Sequence, residues 1–230
     1  LTIEDFGRTA YYILARKEDQ GLIDALDAAF DAMNIDNPNW RVELYNKYIT
    51  RAGAKELLDY LLKSDFFTAP ASAKYHMAES GGLCLHSINV CNRLASLVRA
   101  EYGEDYAATY TDETIAVCGL LHDVCKVNYY AVEQRNVKEE GGWVKKPFFK
   151  VDERFPYGHG EKSVFIINQY MRLSAEEAMA INWHMGGFDA RVMGGSYALS
   201  DAFCKYKLAV LLHIADLEAT YLDEERGLKM

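Results

Sequence analysis

Apolar positions recur at three- and four-residue intervals along most of this chain. Leu22, Ile23, Leu26, Ala29, Phe30 and Met33 fall on one face of a helix, and after a break at "NIDNPNW" the residues Leu57, Leu58, Leu61 and Leu62 resume the pattern. The stretch from Ile3 to about Lys63 therefore reads as a helical, acidic N-terminal region. "TAPAS", residues 68–72, reads as a turn-rich hinge into the main body. Further helices are expected at about 83–101, 112–126, 160–171, 174–185 and 200–224. Ser174 with Glu177 makes a capping box for one of them, and Gly186 with Gly187 a stop.

Residues 128–157 break the helical habit. "NYYAVEQRNVK", "EEGG" and "WVKKPFFKVD" read as two β-rich stretches joined by a glycine turn, a hairpin inserted between helices. The expected fold class is mostly α, with a helical N-terminal region over 1–64 and a main domain over 65–230 that carries the small β insertion. No internal repeat or low-complexity segment interrupts this plan.

At 230 residues, half of them hydrophobic, the chain can bury a substantial core. No apolar run approaches the roughly 18 residues of a membrane span. The first residues do not read as a charged-then-apolar leader, a start at Leu1 suggests removal of an upstream segment, and a soluble, cytoplasmic protein is expected. Cys84, Cys91, Cys118, Cys125 and Cys204 are scattered through apolar helical stretches without a CxxC pair, as reduced core residues would be. A net charge of −9 argues against an extended surface that grips nucleic acid without regard to sequence, yet leaves room for a local site that welcomes an anion.

The candidate chemistry lies in "LLHDVCK", residues 120–126, where His122 and Asp123 interrupt an apolar helical run. A buried carboxylate beside an imidazole costs on the order of several kcal/mol unless something pairs with it. The chain has six histidines: His76, His86, His122, His159, His184 and His213. Each stands next to a glycine pair, a carboxylate or a helix end. One histidine in a helix is most simply structural, but imidazole with carboxylate is the donor set of Mn, Fe, Co, Ni and Zn sites. On a helix Lys126 projects beside His122 and Asp123, and His213 beside Asp216, so packed helices could converge such residues on one point.

The order His86, His122-Asp123, Asp216 resembles the His…His-Asp…Asp signature of the HD superfamily of metal-dependent phosphohydrolases. His159 and His184 resemble the two extra histidines of members that hold two metals. The resemblance spans about residues 65–225. The segments "GGLCLHS", "LLHDVCK", "GHGEKS" and "HIADLEA" look most like bacterial and phage HD proteins related to the HD domain of 3′→5′ exoribonucleases. Those enzymes carry an OB-type module where this chain reads as helical and acidic. "YGHGEKS" stands where the cyclic-dinucleotide-cleaving relatives carry a GYP tripeptide.

The resemblance implies a helical HD bundle and a centre for divalent metal, one or two ions of Mn, Fe, Co, Ni, Mg or Zn. By it, His86, His122, Asp123 and Asp216 hold a first ion, and Asp123 bridges to a second held by His159 and His184. A hydroxide between the ions would attack a phosphoester of a nucleotide or short nucleic-acid end. Lys126 resembles the lysine of the HDxxK variant and would pair with a phosphate oxygen or with Asp123. His76, Lys162, His213 and Arg135 are further candidate substrate contacts, with Asp189 or Arg191 in the loop after His184. A helix start explains Lys162 equally well; a hairpin over the site could stack an aromatic on a base, but alternating apolar residues in a hairpin usually just pack on the body. The same ligand pattern also serves di-iron oxygenases of this fold, and a non-catalytic nucleotide-binding module is a third reading.

Overall fold

The computed structural model describes residues 39–139 and 142–224; the expected helix through Leu22 to Met33 lies outside them. Among the described residues the chain is mostly α-helical, with nine α-helices and one two-stranded antiparallel hairpin. None of these helices is long and apolar enough to cross a membrane.

The first two helices, α1 (Trp40–Tyr48) and α2 (Ala54–Lys63), pack onto the central apolar cluster through Leu44, Tyr45, Leu57, Leu58 and Leu61. Leu62, expected on the same face, is 48% exposed, because it lies one position past the inward stripe. Tyr45 is buried, and its hydroxyl donates to the Leu120 carbonyl at 3.1 Å, tying α1 to the helix that leads into the His-Asp doublet. "TAPAS" is an anchored turn rather than a free hinge. Ala69 and Ala71 are buried, and their segment accepts hydrogen bonds from Gly81 and Leu83 backbone N–H groups at 3.0 and 2.9 Å.

The centre of the fold is α3 (Gly82–Tyr102) against α4 (Asp112–Leu121). Thr111 caps α4 by accepting from the Thr114 N–H, and Asp112 and Glu113 sit in the first turn, where the helix dipole favours negative charge. Ile115 to Leu121 are wholly buried, the signature of a helix surrounded on all sides. Gly119 makes the approach to α3 possible: a Cβ there would stand 2.4 Å from the Cys91 Cα. The expected helix over 112–126 stops at Leu121. Asp123 leaves helical geometry at φ −104°, ψ 18°, and Val124–Lys126 continue as a 3₁₀ turn. The doublet therefore sits at a helix end, where side chains can fan out toward several elements.

The hairpin falls within the expected stretch. Strand β1 (Tyr130–Glu139) pairs with β2 (Gly142–Val151) from Tyr130↔Val151 to Glu139↔Gly142. It stands largely exposed, with Val132, Trp143 and Val144 facing solvent. Helices α5 (His159–Asn168) and α6 (Ala175–Trp183) follow. The α6 capping box is formed: Ser174 Oγ accepts from the Glu177 N–H and Glu177 accepts from the Ser174 N–H. Gly186 follows the end of α6 at φ +53°, with the His213 ring 2.3 Å from where a Cβ would stand, so glycine is required twice over. A short α7 (Ala190–Met193) leads to α8 (Ala198–Lys205) and α9 (Lys207–Glu218). The single helix expected over 200–224 is thus broken at Tyr206, which is extended at φ −122°, ψ 95°, and α9 ends in a π turn over Ala219–Asp223.

One buried ion pair ties the N-terminal helices to this body. The Arg51 guanidinium, in the α1–α2 link, donates twice to Glu177 at 2.8 Å and pairs with Glu113 at 3.3 Å. Burial would raise the Glu177 pKa, but Arg51 and the Ser174 N–H hold it below the usual glutamate range. The folded value lies below the unfolded one, so the stabilisation is present above roughly pH 4.3 and is lost as pH falls through the folded value. Glu177→Ala is expected to cost about 3 kcal/mol in urea unfolding at neutral pH, with the difference from wild type shrinking in acid; a variant of equal stability at neutral pH would dismiss the pair as a tie.

Candidate metal centre

Five separate elements deliver polar side chains to one point. The middle of the first turns of α3 supplies His86, and the end of α4 supplies His122 and Asp123. His159 is the first residue of α5, His184 caps the end of α6, and Asp216 lies on α9. Helix termini leave backbone groups free, and both cap histidines use this: His122 Nδ1 donates to the Gly119 carbonyl at 2.9 Å, and His184 Nδ1 to the Ile181 carbonyl at 2.6 Å. Each bond fixes the tautomer and leaves an Nε2 lone pair aimed inward.

Asp123 occupies the middle. It is 2% exposed. Its Oδ1 accepts from His159 Nε2 at 2.8 Å and lies 3.5 Å from His184 Nε2, while its Oδ2 is 2.6 Å from Lys126 Nζ, 3.5 Å from His86 Nε2 and 3.6 Å from His122 Nε2. His86 Nε2 is also 3.3 Å from Asp216 Oδ1 and 3.3 Å from His122 Nε2. The groups His86–His122–Asp123, wholly buried, and His122–His184–Asp216 and Asp123–Cys125–His159, each with one half-buried member, bring three donor atoms close enough to hold a metal ion.

The charge state agrees with that use. Burial would raise the Asp123 pKa, but Lys126 and then His122 and His159 hold it well below the usual carboxylate range. Burial pushes His122 down to about 3, keeping the ring neutral and its lone pair available. At His86 burial is outweighed by Glu224 and Asp216, which push its pKa up to about 10; at His159 it is outweighed by Cys125 and Asp123, again to about 10. A site that attracts protons so strongly offers a cation the same negative potential. His184 Nε2 tests the fit directly: it is fully buried, carries a lone pair, and has no hydrogen-bond partner. A lone pair facing a carboxylate oxygen at 3.5 Å is satisfied by a cation between them.

The centre forms the floor of a cavity of about 730 Å³. His76, Lys126, Tyr130 and His213 line its walls. His76 lies with its ring 4.9 Å from that of His86, and burial with the neighbouring His86 and Lys126 lowers its pKa to about 4. His213 does not bond Asp216; its Nδ1 donates to the His184 carbonyl at 2.7 Å, bracing the end of α6. The other candidate contacts lie elsewhere. Lys162 is buried and donates to Glu153 at 2.9 Å, facing a separate cavity of about 300 Å³. Arg135 stands on the exposed hairpin with its guanidinium 3.4 Å from the Phe148 ring centre. Asp189 and Arg191 pair with each other at 2.7 Å, and Arg191 reaches Glu161 at 2.8 Å, clamping the loop to α5.

Two residues at the centre were not picked out from the sequence. Glu224, brought back by the π turn, accepts from His86 Nδ1 at 2.9 Å and from Asn89 Nδ2 at 3.0 Å. Its only sequence signal is an i+8 spacing from Asp216 inside an acidic run that looks solvated. Cys125 was expected in the core; it is buried, but against His159 and Asp123. Cys84, Cys91 and Cys118 are buried as expected, whereas Cys204 is exposed.

No protein-family model matches the chain. No curated protein and no solved structure matches it either.

The Glu224 contact orients His86 as an outer carboxylate orients a ligating imidazole. Glu224→Ala is expected to weaken divalent-metal affinity by about 10- to 100-fold with the helical circular dichroism unchanged; calorimetric titration giving wild-type affinity would remove Glu224 from the centre.

Proposed function

We propose that this chain is a metal-dependent phosphohydrolase of the HD type, acting on a phosphoester of a nucleotide or of a short nucleic-acid end. One observation carries the reading: His86, His122, Asp123, His159, His184 and Asp216, separated by up to 130 positions in the sequence, meet in overlapping, mostly buried donor groups under an open cavity with Lys126 beside them. By the HD resemblance His86, His122, Asp123 and Asp216 would hold one divalent ion, and Asp123, His159 and His184 a second. Bound there, the ions would supply Lewis acidity toward a phosphoryl oxygen and an activated water.

The remaining roles belong to the side chains. Lys126 is held by Asp123, whose charge outweighs burial and raises the lysine pKa above its usual value, so the ammonium persists through neutral pH. From the cavity wall beside the centre it would balance negative charge that grows on a phosphoryl group. His76 and His213 stand on the walls within reach of a bound anion, and Tyr129, Tyr130 and Phe188 offer flat apolar surface to a base. The volume falls in the range of small-molecule sites rather than of grooves for a polymer.

The test is elemental analysis of the purified protein, then assay with Mn, Mg, Co and Ni against nucleotides and short single strands. Stoichiometric metal with metal-dependent release of phosphate or nucleotide is expected. Two irons with oxygen-dependent turnover of a non-phosphate substrate would replace the hydrolase by an oxygenase, and nucleotide binding without product would replace it by a binding module. Asp123→Ala is expected to abolish turnover and lower metal content with the helical fold retained. Lys126→Ala should keep its metal and lose about 100-fold in rate; full activity would remove Lys126 from the reaction.

A further inference from the structure

We infer that Cys125 is a thiolate ligand of the candidate metal centre, on the side of Asp123 that faces His159, and that this side is selective for a thiophilic ion such as zinc, cobalt or ferrous iron. The inference rests on the metal-binding reading of the same cluster and adds to it a donor that the HD signature does not include.

The geometry is local and consistent. Cys125 follows Asp123 by two residues across the break at the end of α4, and the 3₁₀ turn Val124–Lys126 turns its side chain back toward the centre. Its backbone N–H donates to Ser163 Oγ at 3.1 Å, fixing the turn against α5. Its Sγ lies 3.4 Å from His159 Nε2 and 3.9 Å from Asp123 Oδ1, and those two atoms are 2.8 Å apart. Donors on one tetrahedral ion, with metal–sulfur bonds of about 2.3 Å and metal–nitrogen bonds of about 2.0 Å, sit roughly 3.3–3.6 Å from one another. The three observed separations bracket that span. A fourth donor points at the same place: His184 Nε2, fully buried and without a hydrogen-bond partner, is 3.5 Å from the same Asp123 Oδ1.

The other cysteines set the contrast. Cys84, Cys91 and Cys118 are buried in the apolar cluster, and none of them joins a group of donor atoms close enough to hold an ion among the described residues. Cys125 is 2% exposed and sits among imidazole and carboxylate donors. On ligation the Cys125 thiol proton and the proton that His159 Nε2 donates to Asp123 both pass to solvent as the metal–sulfur and metal–nitrogen bonds form, with no change of oxidation state. A sulfur donor shifts preference from hard ions held by oxygen toward Zn, Co and Fe.

Cobalt(II) reports sulfur ligation directly. Protein carrying Cys204→Ser, which removes the exposed thiol, is stripped with chelator, loaded with cobalt and read by electronic absorption. An intense near-ultraviolet sulfur-to-cobalt band is expected beside the weaker visible bands. Adding Cys125→Ser should abolish the near-ultraviolet band, keep the visible ones, and lower zinc affinity by at least about tenfold, the loss that even an outer partner of a ligand produces. Cobalt uptake without the sulfur band overturns the assignment with no second variant needed. The same band persisting after Cys125→Ser overturns it too. Failure to take up any cobalt overturns the metal-centre reading itself.

Discussion

A single buried carboxylate organises this molecule. Asp123 lies where the ends of α4 and α6, the start of α5, the body of α3 and the face of α9 all meet, and it is surrounded by imidazole nitrogens and one ammonium. Removing such a charge from water is costly, and Lys126 with the proton-attracting His86 and His159 balances it when no metal is bound. Asp216 and Glu224 add two further carboxylates on the His86 side. The cluster is therefore built for positive charge, and two histidines are fixed by backbone carbonyls with their lone pairs directed inward.

The surrounding fold can be understood as what holds those five elements in register. Gly119 lets α4 close onto α3, which brings His122 Nε2 within 3.3 Å of His86 Nε2. Gly186 admits the His213 ring, whose bond to the His184 carbonyl braces the end of α6. The Arg51 clamp on Glu113 and Glu177 works further out, joining the N-terminal helices to α4 and α6, whose ends carry His122 and His184. Each of these contacts fixes the position of a donor atom without itself supplying one.

Much of the centre is legible in the sequence because its residue types are scarce there. Six histidines in 230 residues, with one adjacent to an aspartate inside an apolar run, stand out against any core pattern, and five of them lie within ring contact of another. The helices were legible through their apolar periodicity and the hairpin through its alternation. Periodicity does not reveal where a buried helix stops, since Val124 and Cys125 are as apolar and as buried as Leu120 and Leu121. It also misses the break at Tyr206, which is a backbone torsion and not a composition change. Lys162 and Arg135 looked available because their partners, Glu153 and Phe148, come from elsewhere along the chain. Glu224 was hidden for the opposite reason: an acidic run gives no sign that one of its members turns inward.

The π turn at the end of α9 has a consequence for how the centre assembles. It closes a contact between His86 and Glu224 across 138 positions, about three quarters of the span from Asn39 to Glu224. During synthesis the helices α3 to α6 can be complete and packed while His86 still lacks its acceptor. Closing so long a loop is entropically slow relative to local helix formation. The contact that aims His86 therefore carries a large loop-closure cost, and a turn late in the described chain sets the orientation of a ligand near its start.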